Sequence, residues 1–201
     1  MSAPGSRVAT VAKLYFRYGT MDSAKSMNLL AVAHNYRKQG KRVLLVKPRL
    51  DSRFGNDKIA SRSGLEATAD LMIDEDTALN PADFAELDCV LVDEAQFLTR
   101  AQVEQLTDLA DRLRIPVLCY GLRTDFLGNL FEGSLWLLAW ADNLIELKTI
   151  CHCGRKATMV LRLDASGAPV KTGAQIEIGG NERYVSVCRR HYKDSQSAWL
   201  L

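Results

Sequence analysis

Residues 13–40, KLYFRYGTMDSAKSMNLLAVAHNYRKQG, decide the fold. The apolar and aromatic run that ends at Tyr18 has the composition of a β-strand. The second half of the stretch repeats apolar residues at helical spacing. The turn between them, GTMDSAKS at residues 19–26, fits the phosphate-binding pattern G-x-x-x-x-G-K-[ST] at every position but one. The exception is Ala24, which stands where the pattern has its second glycine.

A turn between a strand and a helix binds phosphate because its backbone N–H groups converge on the anion at the positive end of the helix dipole. We therefore predict that the whole turn holds a nucleoside triphosphate: Gly19, Thr20, Met21, Asp22, Ser23, Ala24, Lys25 and Ser26. Lys25 is placed for the β and γ phosphates, and Ser26 is placed for a magnesium ion.

The backbone angle at Ala24 decides how well such a turn works. If Ala24 adopts a positive φ, its methyl group costs about 1–2 kcal/mol and crowds the phosphate. At an ordinary helix-entry angle, alanine is well tolerated. The sequence leaves both alternatives open.

Four further short apolar runs have strand composition: RVLLVK from Arg42, DCVLVD from Asp88, IPVLCY from Ile115 and NLIEL from Asn143. A second helical pattern lies between the runs from Asp88 and Ile115, and Thr99 with Gln102 gives it a capping box. Strands that alternate with helices predict an α/β fold with a parallel sheet and helices on both faces. The polar residues 50–64 are predicted to form a long loop near the site.

The run DCVLVDEAQ supplies the second half of the predicted site. An apolar strand that delivers an acid at its carboxyl end is where open α/β sheets place their ligand chemistry. Asp93 is suited to hold a magnesium ion through its water shell. Glu94 follows directly and can serve as a base in the same crevice. The alternative is a solvated acidic strand end.

Composition limits the class of protein. The chain has 201 residues, 47% of them apolar and 25% charged, which predicts one substantial domain with at most a small appendage. The net charge of +2 gives no reason to expect binding to nucleic acid or to an anionic membrane. No apolar run is long enough to span a bilayer, and the first residues lack the apolar core of a signal peptide, so we expect a cytoplasmic protein.

The character of the sequence changes after residue 149, and we predict two domains, residues 1–149 and 150–201. The second contains two groups of metal-ligand residues, CHC at 151–153 and CRRH at 188–191. Such paired groups typically hold a structural zinc ion that stabilises a region too small to bury its own core. The favoured ligands are Cys151, Cys153, Cys188 and His191. Because only one residue separates the first two cysteines, His152 is a rival ligand.

Several blocks in a fixed order resemble one known family. They are the KLYF strand and its phosphate turn, DSR, VLVDEAQFL, VLCYGLRTDF, CHCGRKA and IGGNERYVSVCRRHY. Together they cover residues 13–192 and are similar to the type II thymidine kinases. The resemblance implies a P-loop domain of the RecA or Rossmann type with a small zinc-binding lasso domain. It also implies transfer of the γ-phosphate of ATP to the 5′-hydroxyl of thymidine, and it leaves open how strictly thymidine is preferred over deoxyuridine.

The resemblance assigns roles to individual residues. Glu94 becomes the base that takes the 5′-hydroxyl proton, and Asp93 and Ser26 belong to the magnesium site. Asp51, Arg53, Asp93 and Gln96 join residues 19–26 in binding ATP. The nucleoside set consists of an aromatic ring, a loop that closes over the base and a following tyrosine: Phe126, Gln175, Ile176, Glu177, Ile178, Gly179 and Tyr184.

The resemblance further implies a homotetramer and feedback inhibition by thymidine triphosphate. Trp136 and Trp140, spaced by four residues, fit a core position and a subunit contact equally well. Two other classes of protein compete with the kinase. One is a zinc-containing protein that binds ATP and nucleoside but catalyses weakly, because of Ala24. The other is a zinc-ribbon binder of nucleic acid, suggested by the basic residues around 189–193.

Overall fold

A computed structural model describes residues 11–49, 57–175 and 184–196. The strands in chain order are β1 Leu14–Gly19, β2 Val43–Pro48, β3 Lys58–Ala60, β4 Glu66–Thr68, β5 Leu71–Ile73, β6 Cys89–Val92, β7 Val117–Leu122, β8 Asn143–Glu146, β9 Thr149–Ile150, β10 Lys156–Ala157, β11 Met159–Arg162 and β12 Tyr184–Val187. The α-helices are α1 Lys25–Lys38, α2 Arg100–Asp111, α3 Glu132–Trp140 and α4 Arg189–Gln196. Two short 3-10 turns occupy Pro81–Phe84 and Ala95–Phe97.

The central feature is a six-stranded sheet in the order β5-β2-β6-β7-β1-β8. Every neighbouring pair in it is parallel, as predicted. The carboxyl ends of β1 and β6 therefore meet at one edge of the sheet, which brings the phosphate turn beside Asp93.

Helices cover both faces of the sheet, and each face has its own apolar core. On one face, α1 contributes Leu29, Leu30 and Ala33 to a buried cluster with residues of the inner strands. On the other face, α2 and α3 pack against the strands, and Leu106 is among the residues that are fully buried there. Trp136 packs against this second core, whereas Trp140 is 43% exposed.

All five predicted strands of the sheet and both predicted helices are present, and the capping box at Thr99 and Gln102 is formed. The prediction of a long loop over residues 50–64 was wrong for its second part. Residues 58–60 form β3, which pairs antiparallel with β4 through a tight connection at residues 61–65. Ile59 is fully buried against the α1 face of the sheet, and this burial holds the hairpin in place.

A third, smaller core lies in the C-terminal quarter. Its buried members are Cys151, Ala157, Leu161, Val187 and Cys188. Two antiparallel pairs, β9 with β10 and β11 with β12, frame it. Over the described ranges, no helix combines the length and apolar character needed to cross a membrane.

Candidate active site

The phosphate turn leaves β1 at a point with no room for a side chain. A Cβ at Gly19 would lie 2.3 Å from the Ser23 Oγ and 2.5 Å from the Leu147 carbonyl oxygen. Ser23 in turn donates a hydrogen bond to the Thr20 carbonyl at 2.8 Å. The first glycine of the turn is therefore required by close packing.

Ala24 takes the more strained of the two alternatives. Its φ of 59° and ψ of 29° lie in the left-handed region, immediately before the first residue of α1. A methyl group is unfavourable there, whereas glycine adopts these angles without strain. Asp22, two residues earlier, also has a positive φ, of 61°. The turn therefore has two non-glycine residues, Asp22 and Ala24, in the left-handed region.

Lys25 and Ser26 begin α1 and point toward the sheet edge. The Lys25 Nζ donates to the Thr20 carbonyl at 2.6 Å and to the Ser23 Oγ at 3.3 Å, so it lies curled into its own turn. The Ser26 hydroxyl donates to the Asp93 carboxylate at 3.2 Å. Asp93 is 4% exposed, and burial raises its pKa, with the neighbouring Glu94 charge adding to the effect. A divalent cation between Ser26 and Asp93 would oppose that shift, which fits the predicted magnesium site.

Glu94 lies beyond the end of β6 with a positive φ of 48°. Its Oε2 accepts a hydrogen bond of 2.6 Å from Gln96 Nε2. The Gln96 Oε1 accepts from the backbone N–H of Leu122, at the end of β7, at 3.0 Å. Gln96 is 1% exposed, so its amide is committed to these protein partners in the structure.

These elements surround a cavity of about 470 Å³. The phosphate turn with the start of α1 and the tip of the β3–β4 hairpin both contribute to its lining. Glu94 and Leu122 line it as well. The lining residues are Met21, Asp22, Ser23, Ala24, Lys25, Ser26, Met27, Ala60, Ser61, Arg62, Ser63, Glu94 and Leu122.

Arg62 was missed by the sequence reasoning. Its guanidinium forms an ion pair of 2.7 Å with the Asp22 carboxylate across the cavity, and both side chains are partly exposed. A signal was present, because the hairpin residues IASRSG form the last part of the polar stretch 50–64 that was predicted to lie near the site. In a loop without secondary structure, the sequence gives no reason to single out Arg62.

Three of the residues assigned to the nucleoside, Phe126, Gln175 and Tyr184, are described, and none of them lines the cavity. Phe126 is 1% exposed and is not part of the cavity wall. The Arg162 guanidinium stacks 4.0 Å from the centroid of its ring. Arg162 also donates to the carbonyls of Thr172 and Ala174 at 3.4 and 3.2 Å. It therefore joins the aromatic ring to the chain that leads into the predicted lasso.

Gln175 and Tyr184 stand at the two ends of that lasso. The Gln175 amide donates to the Asp125 carboxylate at 2.9 Å and to the Leu130 carbonyl at 3.3 Å. Tyr184 starts β12, opposite Arg162. Asp51, Arg53, Ile176, Glu177, Ile178 and Gly179 lie outside the described residues.

The predicted zinc ligands come together. The ligand atoms of Cys151, Cys153, Cys188 and His191 all lie within 4.8 Å of one another. The Cys153 and Cys188 sulfurs are 3.9 Å apart, close to the separation of about 3.8 Å that two thiolates have on one tetrahedral zinc. The His152 ring stacks on His191 with centroids 4.2 Å apart, and it is not part of the four-atom group.

The chemistry of this group suits a metal cation. Burial opposes ionisation of Cys151, but hydrogen bonds from the Cys153 backbone and the His191 side chain prevail, and the pKa of the thiol is lowered. A thiolate is the form that binds zinc. By contrast, burial raises the pKa of Cys89 to about 12, and Cys119 is likewise buried with a raised pKa. These two cysteines are core residues, as predicted.

Two hydrogen bonds connect the region after residue 149 to the rest of the described chain. The Ser186 hydroxyl on β12 donates to the Met21 carbonyl in the predicted phosphate turn at 2.7 Å. Arg123, after β7, donates to the Thr158 carbonyl at 3.1 Å. Strand β12 is therefore bonded directly to the predicted phosphate turn.

Comparisons with known proteins agree with this arrangement. The thymidine kinase family profile matches residues 12–192. The chain is 57% identical over 194 residues to a thymidine kinase of Rhodopirellula baltica, covering 92% of this chain and 90% of that protein. It is 54% identical over 190 residues to a thymidine kinase of Photobacterium profundum, covering 92% and 98%. It is 56% identical over 190 residues to one of Salmonella typhimurium, covering 92% of each.

A solved structure, the Pif1 helicase from Candida albicans, is similar with a TM-score of 0.39 and 16% identity. The similarity covers 70% of this chain and 36% of the helicase, and at that level it carries no argument. The sequence matches extend over the phosphate turn, the acidic pair and the cysteine cluster alike. The chain belongs to the thymidine kinase family.

Proposed function

We propose that this protein transfers the γ-phosphate of ATP to the 5′-hydroxyl of thymidine. One observation carries the proposal: the phosphate turn and the Glu94 carboxylate line a single cavity, and the buried Asp93 accepts a hydrogen bond from Ser26 in its wall. Phosphoryl transfer depends mainly on alignment and charge compensation, and it needs one carboxylate to orient the attacking alcohol. The family membership supports thymidine as that alcohol.

Each wall of the cavity has a role in this reaction. The backbone of residues 19–26 and the Lys25 ammonium hold the β and γ phosphates, and Lys25 turns from the Thr20 carbonyl toward them. Ser26 and Asp93 would hold Mg²⁺, which neutralises charge on the phosphates when it is bound. Glu94 accepts the proton of the 5′-hydroxyl as the oxygen attacks phosphorus. Asp51 and Arg53 stay in the proposal as further ATP-binding residues.

The second substrate is placed on the side of Phe126. We assign the ring of Phe126, the loop Gln175, Ile176, Glu177, Ile178 and Gly179, and Tyr184 to thymine. Arg162 supports this assignment because it joins the ring to the start of the loop. The four-ligand cluster would hold a structural zinc ion, which fixes β12 at the far end of the same loop.

Phosphate transfer from γ-labelled ATP tests the proposal. Label is expected on thymidine, and Glu94→Gln is expected to lower kcat by about a hundredfold or more. Glu104→Gln is the matched control, because Glu104 is a surface residue of α2 paired with Arg100. Label that reaches water but not thymidine would refute the proposed acceptor, and full activity of E94Q would refute the proposed base.

One observation favours a second candidate, a protein that binds ATP and nucleoside but catalyses weakly. Ala24 has a positive φ and borders the cavity, so the turn carries strain and an added methyl group. Binding of ATP and thymidine without label transfer would support this alternative. From family membership alone we also propose a cytoplasmic homotetramer inhibited by thymidine triphosphate.

A further inference from the structure

Glu94 occupies a backbone position that a glutamate does not adopt by itself. Its φ of 48° lies in the left-handed region, where a side chain costs about 1–2 kcal/mol. A non-glycine residue stays in such a conformation when its surroundings hold it there. The residues that follow form a 3-10 turn, Ala95–Phe97, in which Phe97 N–H donates to the Glu94 carbonyl at 3.1 Å.

Two glycines on neighbouring elements make that turn fit. A Cβ at Gly133, in the first turn of α3, would lie 2.3 Å from the Ala95 carbonyl oxygen. A Cβ at Gly121, on β7, would lie 2.8 Å from Gln96 Oε1 and 2.9 Å from the Gln96 backbone nitrogen. Ser134 adds a hydrogen bond of 2.5 Å to the Leu122 carbonyl. The turn is therefore enclosed between β7 and α3 with no space for a methyl group on either side.

The side chain of Gln96 completes the enclosure. It accepts from the Leu122 N–H at the end of β7 and donates to the Glu94 carboxylate at 2.6 Å. Gln96 is 1% exposed, and the Leu122 N–H holds its Oε1. Its Nε2 is therefore the group that faces the Glu94 carboxylate. The Glu94 carboxylate is thereby tied to the sheet while Glu94 still forms part of the cavity wall.

We propose that Gln96 is a positioning residue: it fixes the Glu94 carboxylate against the end of β7 and acts on phosphoryl transfer only through Glu94. This inference rests on the proposed function of Glu94 as the base. It replaces a direct contact between Gln96 and the phosphates of ATP, because Gln96 is 1% exposed, is not among the residues that line the cavity, and already bonds to Glu94 and Leu122. A displacement of about 1 Å at a reacting group costs about a hundredfold in rate.

The experiment is a double-mutant cycle with Gln96→Met and Glu94→Gln. Methionine keeps the length of the side chain but cannot donate to Glu94. Q96M is expected to lower kcat about ten- to hundredfold and to leave both KM values within about twofold. In the E94Q background, measured in single turnovers at high enzyme concentration, Q96M is expected to change the remaining rate by less than about twofold.

Gln102→Met is the matched control. Gln102 is a second buried glutamine, 3% exposed, and it bonds to backbone groups remote from the cavity, at Asp74 and Thr77. Q102M loses comparable hydrogen bonds and is expected to keep kcat within about twofold of the wild type. If Q96M does not fold, Gln96→Leu takes its place, because leucine likewise cannot donate a hydrogen bond to Glu94. The same loss of kcat is expected.

Several results would overturn the inference. They are wild-type kcat in Q96M or Q96L, an equal loss of rate in Q102M, or the same factor lost in the E94Q background. A raised KM for ATP at unchanged kcat would instead place Gln96 on the phosphates. A crystal structure of the variant gives a readout without turnover: a displaced Glu94 carboxylate is expected, and an unmoved one refutes the inference. If the wild type fails to phosphorylate thymidine, only the proposed function fails, since this structural readout still decides the inference.

Discussion

Replacing Ala24 with glycine should stabilise this protein, although glycine normally weakens a helix. Ala24 has a φ of 59° at the residue before α1. Alanine in the left-handed region costs about 1–2 kcal/mol that glycine avoids. Glycine has more freedom in the unfolded chain, and this costs about 0.4–1 kcal/mol. The difference favours glycine by about 0.5–1 kcal/mol, which corresponds to a rise in Tm of about 1–4 °C for a chain of this size.

The measurement is thermal unfolding of the nucleotide-free protein, with Ala31→Gly as the control. Ala31 is an exposed residue inside the same helix. There the same substitution is expected to lower the stability by about 1 kcal/mol. Opposite signs for A24G and A31G support the reasoning. A lower Tm in A24G would refute it, because it would show that residue 24 is not strained.

Binding of ATP separates strain from crowding at the same residue. If the backbone strain at Ala24 is the same with and without bound nucleotide, it does not contribute to the free energy of ATP binding. A tighter Kd for ATP in A24G would therefore come from removing the methyl group, since Ala24 lines the cavity. An unchanged Kd together with a raised Tm would mean that the phosphates do not touch residue 24.

Three further outcomes are expected. Cys188→Ser, or removal of metal by a chelator, should weaken thymidine binding more than tenfold and leave the Tm of the main sheet unchanged. The reason is that two of the five buried residues in the small core are proposed zinc ligands. Arg62→Ala should raise KM for ATP about tenfold, since its guanidinium lies at the cavity and can bond to phosphate. Arg112→Ala, a surface control, should leave KM for ATP unchanged. Arg162→Met should raise KM for thymidine about tenfold and leave KM for ATP unchanged, because Arg162 joins Phe126 to the base loop.

Each of these three predictions has a result that would contradict it. Thymidine affinity that survives removal of metal would separate the cluster from substrate binding. A lower KM for ATP in R62A would mean that Arg62, paired with Asp22, only obstructs the cavity. Equal changes in both KM values in R162M would indicate a general loss of structure.

The sequence was sufficient for the parts of the fold that depend on local pattern. Strand β6 is an unbroken apolar run with all four residues buried, and α2 carries both its apolar spacing and its capping box. Strands β3 and β5 have three residues each, which is too short for a periodic pattern. Their positions depend on pairing with distant strands, and pairing is not visible in a single sequence.

The candidate site likewise has features that the sequence predicts and features that depend on the three-dimensional structure. Asp93 and Glu94 were predictable because a buried strand precedes them. The φ of Ala24 was not, since either backbone angle suits the residues on both sides. The bond of Gln96 to the Leu122 N–H depends on the distance between β6 and β7. The exclusion of His152 from the group of four ligand atoms likewise depends on how the side chains are arranged in space, and the spacing of the residues along the chain does not settle that.

The hydrogen bond from Ser186 to Met21 links residues near the opposite ends of the chain. A growing polypeptide places the phosphate turn, Asp93 and Glu94 outside the ribosome long before β12 has been synthesised. Until then the Met21 carbonyl lacks its donor, and the second strand of the β11–β12 pair does not exist. We therefore expect a product truncated before residue 184 to keep the strands of its main sheet but to lack β12, Cys188 and His191, so that the proposed zinc cluster and the bond to Met21 are completed together at the end of synthesis.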